Sequence, residues 1–145
     1  MEKLLAIMQE LRQKCPWDQQ QTPESLTRYA IEEAYEVEAA IREGDLDHIR
    51  NELGDLLLQV VFQSQMYSEQ GAFNFHDVVD AISEKLIRRH PHVFQSEHDQ
   101  NLNPEQVSEL WKQIKQQEKQ GKPQSLLDEV KHAPALVQAH EIQNK

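Results

Sequence analysis

The stretch IEEAYEVEAAIREGDLDHIRNELGDLLLQVVF, Ile31 to Phe62, sets acidic side chains inside the most apolar part of the chain. Its apolar residues recur at helical spacing on either side of a short turn at EGDLD, which predicts two antiparallel helices. On a wheel advancing about 100° per residue, Leu26, Ala30, Ala34, Val37, Ala40 and Ile41 form one apolar stripe. Glu33 falls inside that stripe, Glu36 lies at its edge one turn along, and Glu32 is further round the same side. In the second helix Leu53, Leu56, Leu57, Leu58, Val60, Val61 and Phe62 cover almost the whole circumference, which predicts burial on most sides. Glu52 and Asp55 interrupt it three residues apart, a spacing that makes them neighbours on a helix surface. Each helix therefore offers a carboxylate pair, Glu33 with Glu36 and Glu52 with Asp55, and the hairpin can bring the pairs face to face.

Such a cluster is costly without cations. Two like charges about 4 Å apart repel by roughly 4 kcal/mol at an effective dielectric of 20, against a domain stability of about 5–15 kcal/mol. The carboxylates are then either protonated or bound to metal. A donor set of oxygen atoms alone, with neither cysteine nor histidine, selects a hard ion, and carboxylate pairs that leave room for water and phosphate suit magnesium. Acidic residues at helical spacing are also common on solvated surfaces, and Glu10, Glu24, Glu38 and Glu43 fit that description. Two pairs on adjoining helices, set within apolar faces, do not.

Working outward, the 145 residues suffice for one domain with a real core. A hydrophobic fraction of 38% beside 28% charged residues leaves no apolar run of the roughly 18 residues that a membrane span needs. The opening MEKLLAIMQELRQK has its apolar residues at helix spacing and lacks the apolar block of a signal peptide, so a cytoplasmic location is expected. Cys15 is the only cysteine, which excludes an intrachain disulfide and a cysteine-built zinc site. A formal charge of -10 opposes binding of nucleic acid.

The remaining punctuation is helical. A first helix is predicted from about Glu2 to Lys14, a second from Thr22 and Pro23 to near Gly44, and a third capped by Asp45 or Asp47 and closed by Gly71. A fourth runs from Asn74 to Pro91; after a polar loop over 95–103, a fifth runs from Asn103 and Pro104 to about Gln120. CPWD, Cys15 to Asp18, reads as a proline-bounded loop, and the segment 121–145 as a helical tail or linker. No strand alternation is present, so the expected class is all-α. Of the seven histidines, His90, His92, His132 and His140 suit capping or solvated roles, and His48, His76 and His98 carry no signal. The apolar girth of the third helix favours an oligomer.

The pattern Glu-Glu-x-x-Glu at Glu32, Glu33 and Glu36, followed by Glu-x-x-Asp at Glu52 and Asp55, resembles the signature of the MazG-type all-α nucleoside triphosphate pyrophosphohydrolases. CPWD, ELGDLLLQVVF, EKLIRRHPHVF and LWKQIKQQE resemble blocks of that family in the same order, so the likeness spans nearly the whole chain. RRHPHVF and the closing LLDEVKHAPALVQAHEIQNK are most similar to the N-terminal domain of tandem members, and the chain stops where a second copy would begin.

The resemblance implies an antiparallel four-helix-bundle core in a dimer, or a dimer of dimers, with a catalytic domain over 1–120. It implies magnesium, with manganese as a substitute, held by Glu33, Glu36, Glu52 and Asp55, and Glu32 as a further ligand or an orienter of the attacking water. The expected reaction is hydrolysis of a nucleoside triphosphate at the α–β phosphate bond, in a role that clears unwanted nucleotides. Lys85 and Arg89 match positions that contact the triphosphate, with Arg88 as their neighbour; Trp111 and Lys115 match a base-stacking and phosphate-contacting pair. Trp17 is a candidate for the nucleoside pocket. Taken alone, these basic residues would equally complement a helix dipole, and Trp111 would equally be core. Other readings are a narrower enzyme for one deoxynucleotide or a phosphoribosyl nucleotide, a catalytically silent nucleotide-binding and dimerising module, and a plain helical interaction domain.

Overall fold

In the computed structural model, which describes residues 1–95 and 101–120, every element is a helix. The chain divides into two compact units, Met1–Ser83 and Glu84 onward. No helix among the described residues is long and apolar enough to cross a membrane.

The first unit is built on the helix pair that the acidic stretch encodes. Helix α1 (Glu2–Lys14) ends at Cys15, whose extended backbone leads into Pro16. Pro16 then opens a short helix, α2 (Pro16–Gln20), where the proline-bounded sequence reads as a loop. The discrepancy has a simple cause: proline is favoured in the first helical turn, where no backbone N–H is needed. Arg12 fastens this turn by donating from Nη1 to the carbonyls of Asp18 at 2.5 Å and Gln21 at 3.2 Å.

Helix α3 (Pro23–Glu43) starts from a reciprocal cap in which Ser25 N–H donates to Thr22 Oγ1 at 3.1 Å and Thr22 N–H to Ser25 Oγ at 2.9 Å. It ends at Gly44, whose φ of 81° is the left-handed conformation that glycine adopts without strain. Asp45, rather than Asp47, caps α4 (Leu46–Glu69) by accepting from the backbone N–H groups of Asp47 and His48. The two-residue turn makes α3 and α4 an antiparallel hairpin, against which α1 packs along α4. The core joins Met8 of α1, Leu26 of α3, Val61, Phe62 and Met66 of α4, and Phe75 at the start of α5 (Phe75–Arg89). That start is capped reciprocally by Asn74 and Asp77.

Helix α4 is less buried than its all-round apolar sequence predicts. Leu53, Leu57 and Val60 remain 49%, 38% and 41% exposed, and Ile41 at the end of the α3 stripe is 56% exposed. Among the described residues, the face carrying Val61, Phe62 and Met66 is covered and the opposite one is left exposed.

In the second unit, α5 stops at Arg89 and Pro91 opens another short helix, α6 (Pro91–Phe94), by the same proline logic. Helix α7 (Pro104–Gln120) begins at Asn103, which exchanges hydrogen bonds with Gln106. The predicted tail over 121–145 and residues 96–100 of the predicted loop lie outside the described residues.

Candidate functional site

Glu33 and Asp55 sit at nearly equal distances from the Gly44–Asp45 turn, so the hairpin sets them opposite each other. Carboxylate oxygens of Glu33, Glu52 and Asp55 all lie within 4.8 Å of one another. Glu33 and Glu52 are half-buried and Asp55 is exposed, so the group sits at the edge of the helix interface with one side open. Glu33 Oε2 is buried and has no hydrogen-bond partner. Burial, followed by the charges of Asp55 and Glu52, pushes the Glu33 carboxyl above its ordinary range. With a buried carboxylate oxygen unpartnered among other acids, these three residues fit a hard divalent ion in the chemistry and convergence of their donors.

Two expected members stand further out. Glu36 is exposed and is not among the converging oxygens, although its charge adds to the elevation of Glu33. Glu32 is exposed and its charge acts on Arg28, one turn back on α3. Trp17 is 51% exposed and meets Tyr29 edge-on, with ring centroids 6.0 Å apart.

His48, which shows no signal in sequence, bridges two acids: its Nδ1 lies 3.2 Å from Glu43 Oε2 and its Nε2 3.2 Å from Glu52 Oε1. A helical i, i+4 relation to Glu52 was the available clue. Ligand-holding carboxylates commonly take such outer partners, which fix their orientation.

The basic candidates and Trp111 lie in the second unit. Lys85 is exposed near the end of α5. Arg88 Nε donates to Glu118 Oε1 at 2.6 Å and Arg89 Nη2 donates to Glu118 Oε2 at 2.9 Å. Trp111 is half-buried on α7, with its Nε1 buried and unpartnered and its ring 5.2 Å from that of His90 in an edge-on contact. Lys115, one turn further along α7, is exposed. His90 also places Nδ1 2.6 Å from the Leu86 carbonyl, the helix-end role expected of it. His92 departs from expectation: it is 8% exposed, buried rather than solvated, with Nδ1 unpartnered. It belongs to the α6 turn, which the sequence reading did not foresee.

A family model described as the MazG nucleotide pyrophosphohydrolase domain matches residues 21–94, the span that holds the hairpin and its carboxylates. The chain belongs to this MazG family. Among its relatives, the nucleoside triphosphate pyrophosphohydrolase of Escherichia coli is 47% identical over 150 residues, which cover 100% of this chain and 56% of that protein. The nucleoside triphosphate pyrophosphohydrolase/pyrophosphatase MazG of Thermotoga maritima is 47% identical over 145 residues, covering 98% of this chain and 54% of that one. The chain thus spans about half the length of these MazG relatives. A crystal structure of a mazG-related protein from Thermotoga maritima superimposes with a TM-score of 0.68 at 26% identity, covering 80% of this chain and 99% of that one. The MazG assignment and the all-α class agree.

Proposed function

We propose that this MazG domain hydrolyses nucleoside triphosphates between the α and β phosphates, with magnesium as cofactor and manganese as its substitute. The observation that carries this reading is the convergence of Glu33, Glu52 and Asp55 oxygens, with Glu33 Oε2 buried and unpartnered. Glu33, Glu52 and Asp55 would hold the metal, and Glu36, one turn from Glu33, would join on rotating inward. Bound there, the metal supplies charge neutralisation at phosphate oxygens and activation of water. Water oxygen adds to the α phosphorus, the bond to the bridging oxygen breaks, and pyrophosphate leaves with that oxygen while a proton passes to solvent. Glu32, exposed beside the cluster, would orient the water. Lys85, Arg88, Arg89 and Lys115 supply cations for the triphosphate, and Trp111 and Trp17 aromatic faces for the base.

A second copy of the chain is the proposed cover for the open apolar face of α4. Beside Leu53, Leu57 and Val60, a groove of about 290 Å³ is lined by Leu56, Val60, Tyr67, Phe73 and Val78. Two α3–α4 hairpins meeting there would make the four-helix bundle that the resemblance implies. Sedimentation of the wild type and of Leu57→Asp should give a dimer or tetramer and a monomer, respectively.

The test of activity is incubation with ribo- and deoxynucleoside triphosphates, with and without magnesium, assayed for pyrophosphate and monophosphate. Metal-dependent release of both from the wild type, lost in Glu52→Gln, is expected. A folded oligomer that binds nucleotide but releases no pyrophosphate would instead make this the silent, binding form of the domain.

A further inference from the structure

Glu118 bridges Arg88 and Arg89, whose side chains are 53% and 25% exposed. Residues adjacent on a helix point about 100° apart, so these arginines cannot present a shared face unaided. Glu118, on a different helix, accepts from each with a separate oxygen and thereby brings both guanidinium groups to one place. Among the described residues only Arg88 Nε and Arg89 Nη2 are used in the bridge, so both terminal nitrogens of Arg88 and Nη1 of Arg89 remain as donors for another anion. Arg88 and Glu118 also line a groove of about 490 Å³ with Pro91, Gln95, Leu110 and Ile114, which leaves room on the Arg88 side of the bridge. A partly exposed ion pair adds little to stability, so the bridge is poorly explained as a fold-stabilising contact. Bonds from Arg89 and Arg88 hold the Glu118 carboxyl down to about 2, which keeps it ionised at any working pH.

We propose that Glu118 is a positioning residue, which organises Arg88 and Arg89 into a preformed clamp for the β and γ phosphates of the substrate. This rests on the phosphate-binding role proposed above for the two arginines. Glutamine at 118 keeps the shape, but its amide NH₂ faces one guanidinium donor to donor, so one arginine is released. The clamp then has to be ordered by the substrate at the cost of affinity.

The experiment is calorimetric titration of the full chain with tripolyphosphate in magnesium buffer, for the wild type, Arg88→Gln, Arg89→Gln and Glu118→Gln, each checked by thermal melting. Expected is a loss of affinity of about tenfold in the Arg89 and Glu118 variants, the worth of one charge-assisted hydrogen bond. The double variant Arg89→Gln/Glu118→Gln should be little weaker than Arg89→Gln, because Glu118 acts through the arginines. In turnover, KM for the nucleotide should rise about tenfold in Glu118→Gln with kcat within about twofold. Tripolyphosphate affinity equal to or above wild type in Glu118→Gln, with the arginine variants weakened, overturns the positioning role alone. Wild-type affinity in both arginine variants overturns the phosphate reading and this proposal together. Should Glu118→Gln not fold, Glu118→Asp takes its place: it keeps the charge but is one methylene short of spanning both arginines. The same loss is expected of it, and wild-type affinity overturns the proposal.

Discussion

Glu33 and Glu118 are the same kind of side chain in two parts of the molecule, and their surroundings drive them in opposite directions. Glu33 is half-buried among Glu52, Asp55 and Glu36, has an oxygen without a partner, and is pushed toward the protonated form. Glu118 lies between two guanidinium groups and is pulled strongly toward the ionised form. One acid faces other acids and the other faces two guanidinium groups. The contrast teaches that charge alone does not mark a functional carboxylate in a chain with 25 acidic residues; what surrounds the charge does.

The most direct way to break the comparison is to neutralise Glu33. Glu33→Gln should lower magnesium-dependent pyrophosphate release by a factor on the order of 10²–10³, the usual scale for losing a preorganised electrostatic element. The same change should stabilise the metal-free protein, because it removes a like charge. After discounting for access of water, the gain is about 1 kcal/mol, or a rise in melting temperature of roughly 2–4 °C. Magnesium should raise the melting temperature of the wild type and leave the variant unmoved. A variant that melts lower than the metal-free wild type would show that the cluster is not strained by its own charge.

The next effect concerns a carboxylate paired as Glu118 is. Glu69 accepts from Arg12 Nε at 2.9 Å and from Nη2 at 2.6 Å, and Arg12 also binds the carbonyls of Asp18 and Gln21 and lies over the Phe62 ring at 6.0 Å. The Arg12 side chain is only 15% exposed. Arg12→Met should cost about 2–3 kcal/mol in urea denaturation, since it releases the α2 turn and leaves the part-buried Gln21 carbonyl without its donor, while Asp18 keeps only the Gln21 N–H. Glu69→Gln should cost less, because Arg12 keeps its bonds to the backbone. Equal costs would mean that the ion pair, and not the fastening of α2, is what matters.

Much of this architecture is legible in sequence because it is local. Thr22–Pro23, Gly44–Asp45, Asn74 and Asn103–Pro104 each solve the problem of unpaired helix ends with nearby atoms, and the helices begin and end there. Glu33, Glu52 and Asp55 were legible for a related reason: helix periodicity and one tight turn suffice to bring them together. Pro16 and Pro91 misled, since a proline that ends one helix can occupy the first turn of the next. Arg12–Glu69, His48–Glu52 and the Arg88–Glu118–Arg89 bridge were not foreseen. The first and last join residues far apart in sequence, and an arginine or glutamate reads the same whether it meets water or a partner. The exposure of Leu53, Leu57 and Val60 on α4 was not legible because periodicity reports how apolar a helix is, not which element covers it.

Titration separates the two kinds of acid by sign. An acid whose carboxyl is raised on folding contributes stability at low pH that is lost as pH rises through its folded value. Metal-free wild type should therefore lose stability as pH climbs from the ordinary carboxylate range upward through the elevated value of Glu33, and Glu33→Gln should lack that decline. Glu69 and Glu118 are lowered, so their contribution is present above the ordinary carboxylate range and fades as pH falls, toward about 2 for Glu118. The acid limb should be shallower in Glu118→Gln, by about 1 kcal/mol at most because the group is partly solvated. Thermal melts across pH in magnesium-free buffer resolve both limbs, and a wild-type curve that rises steadily to neutrality would refute the elevation of Glu33.

The smallest expected effect tests whether surroundings, and not pairing as such, are what count. Glu10 and Lys14 form an ion pair at 3.0 Å with side chains 67% and 72% exposed, and Glu38 and Arg42 form another at 2.7 Å on α3. By distance alone these pairs match the Arg89–Glu118 bond. Water competes for both partners and long side chains lose freedom in meeting, so Glu10→Gln and Glu38→Gln should each shift the melting temperature by no more than about 1–2 °C. Neither should alter pyrophosphate release or tripolyphosphate affinity. If Glu10→Gln proved as costly as Glu69→Gln, burial would not be what separates the paired acids, and the distinction drawn between Glu33 and Glu118 would reduce to a count of nearby charges. If both variants are silent, the same bond length has three different consequences in one chain, set by how far water is kept away and by which charges remain when it is.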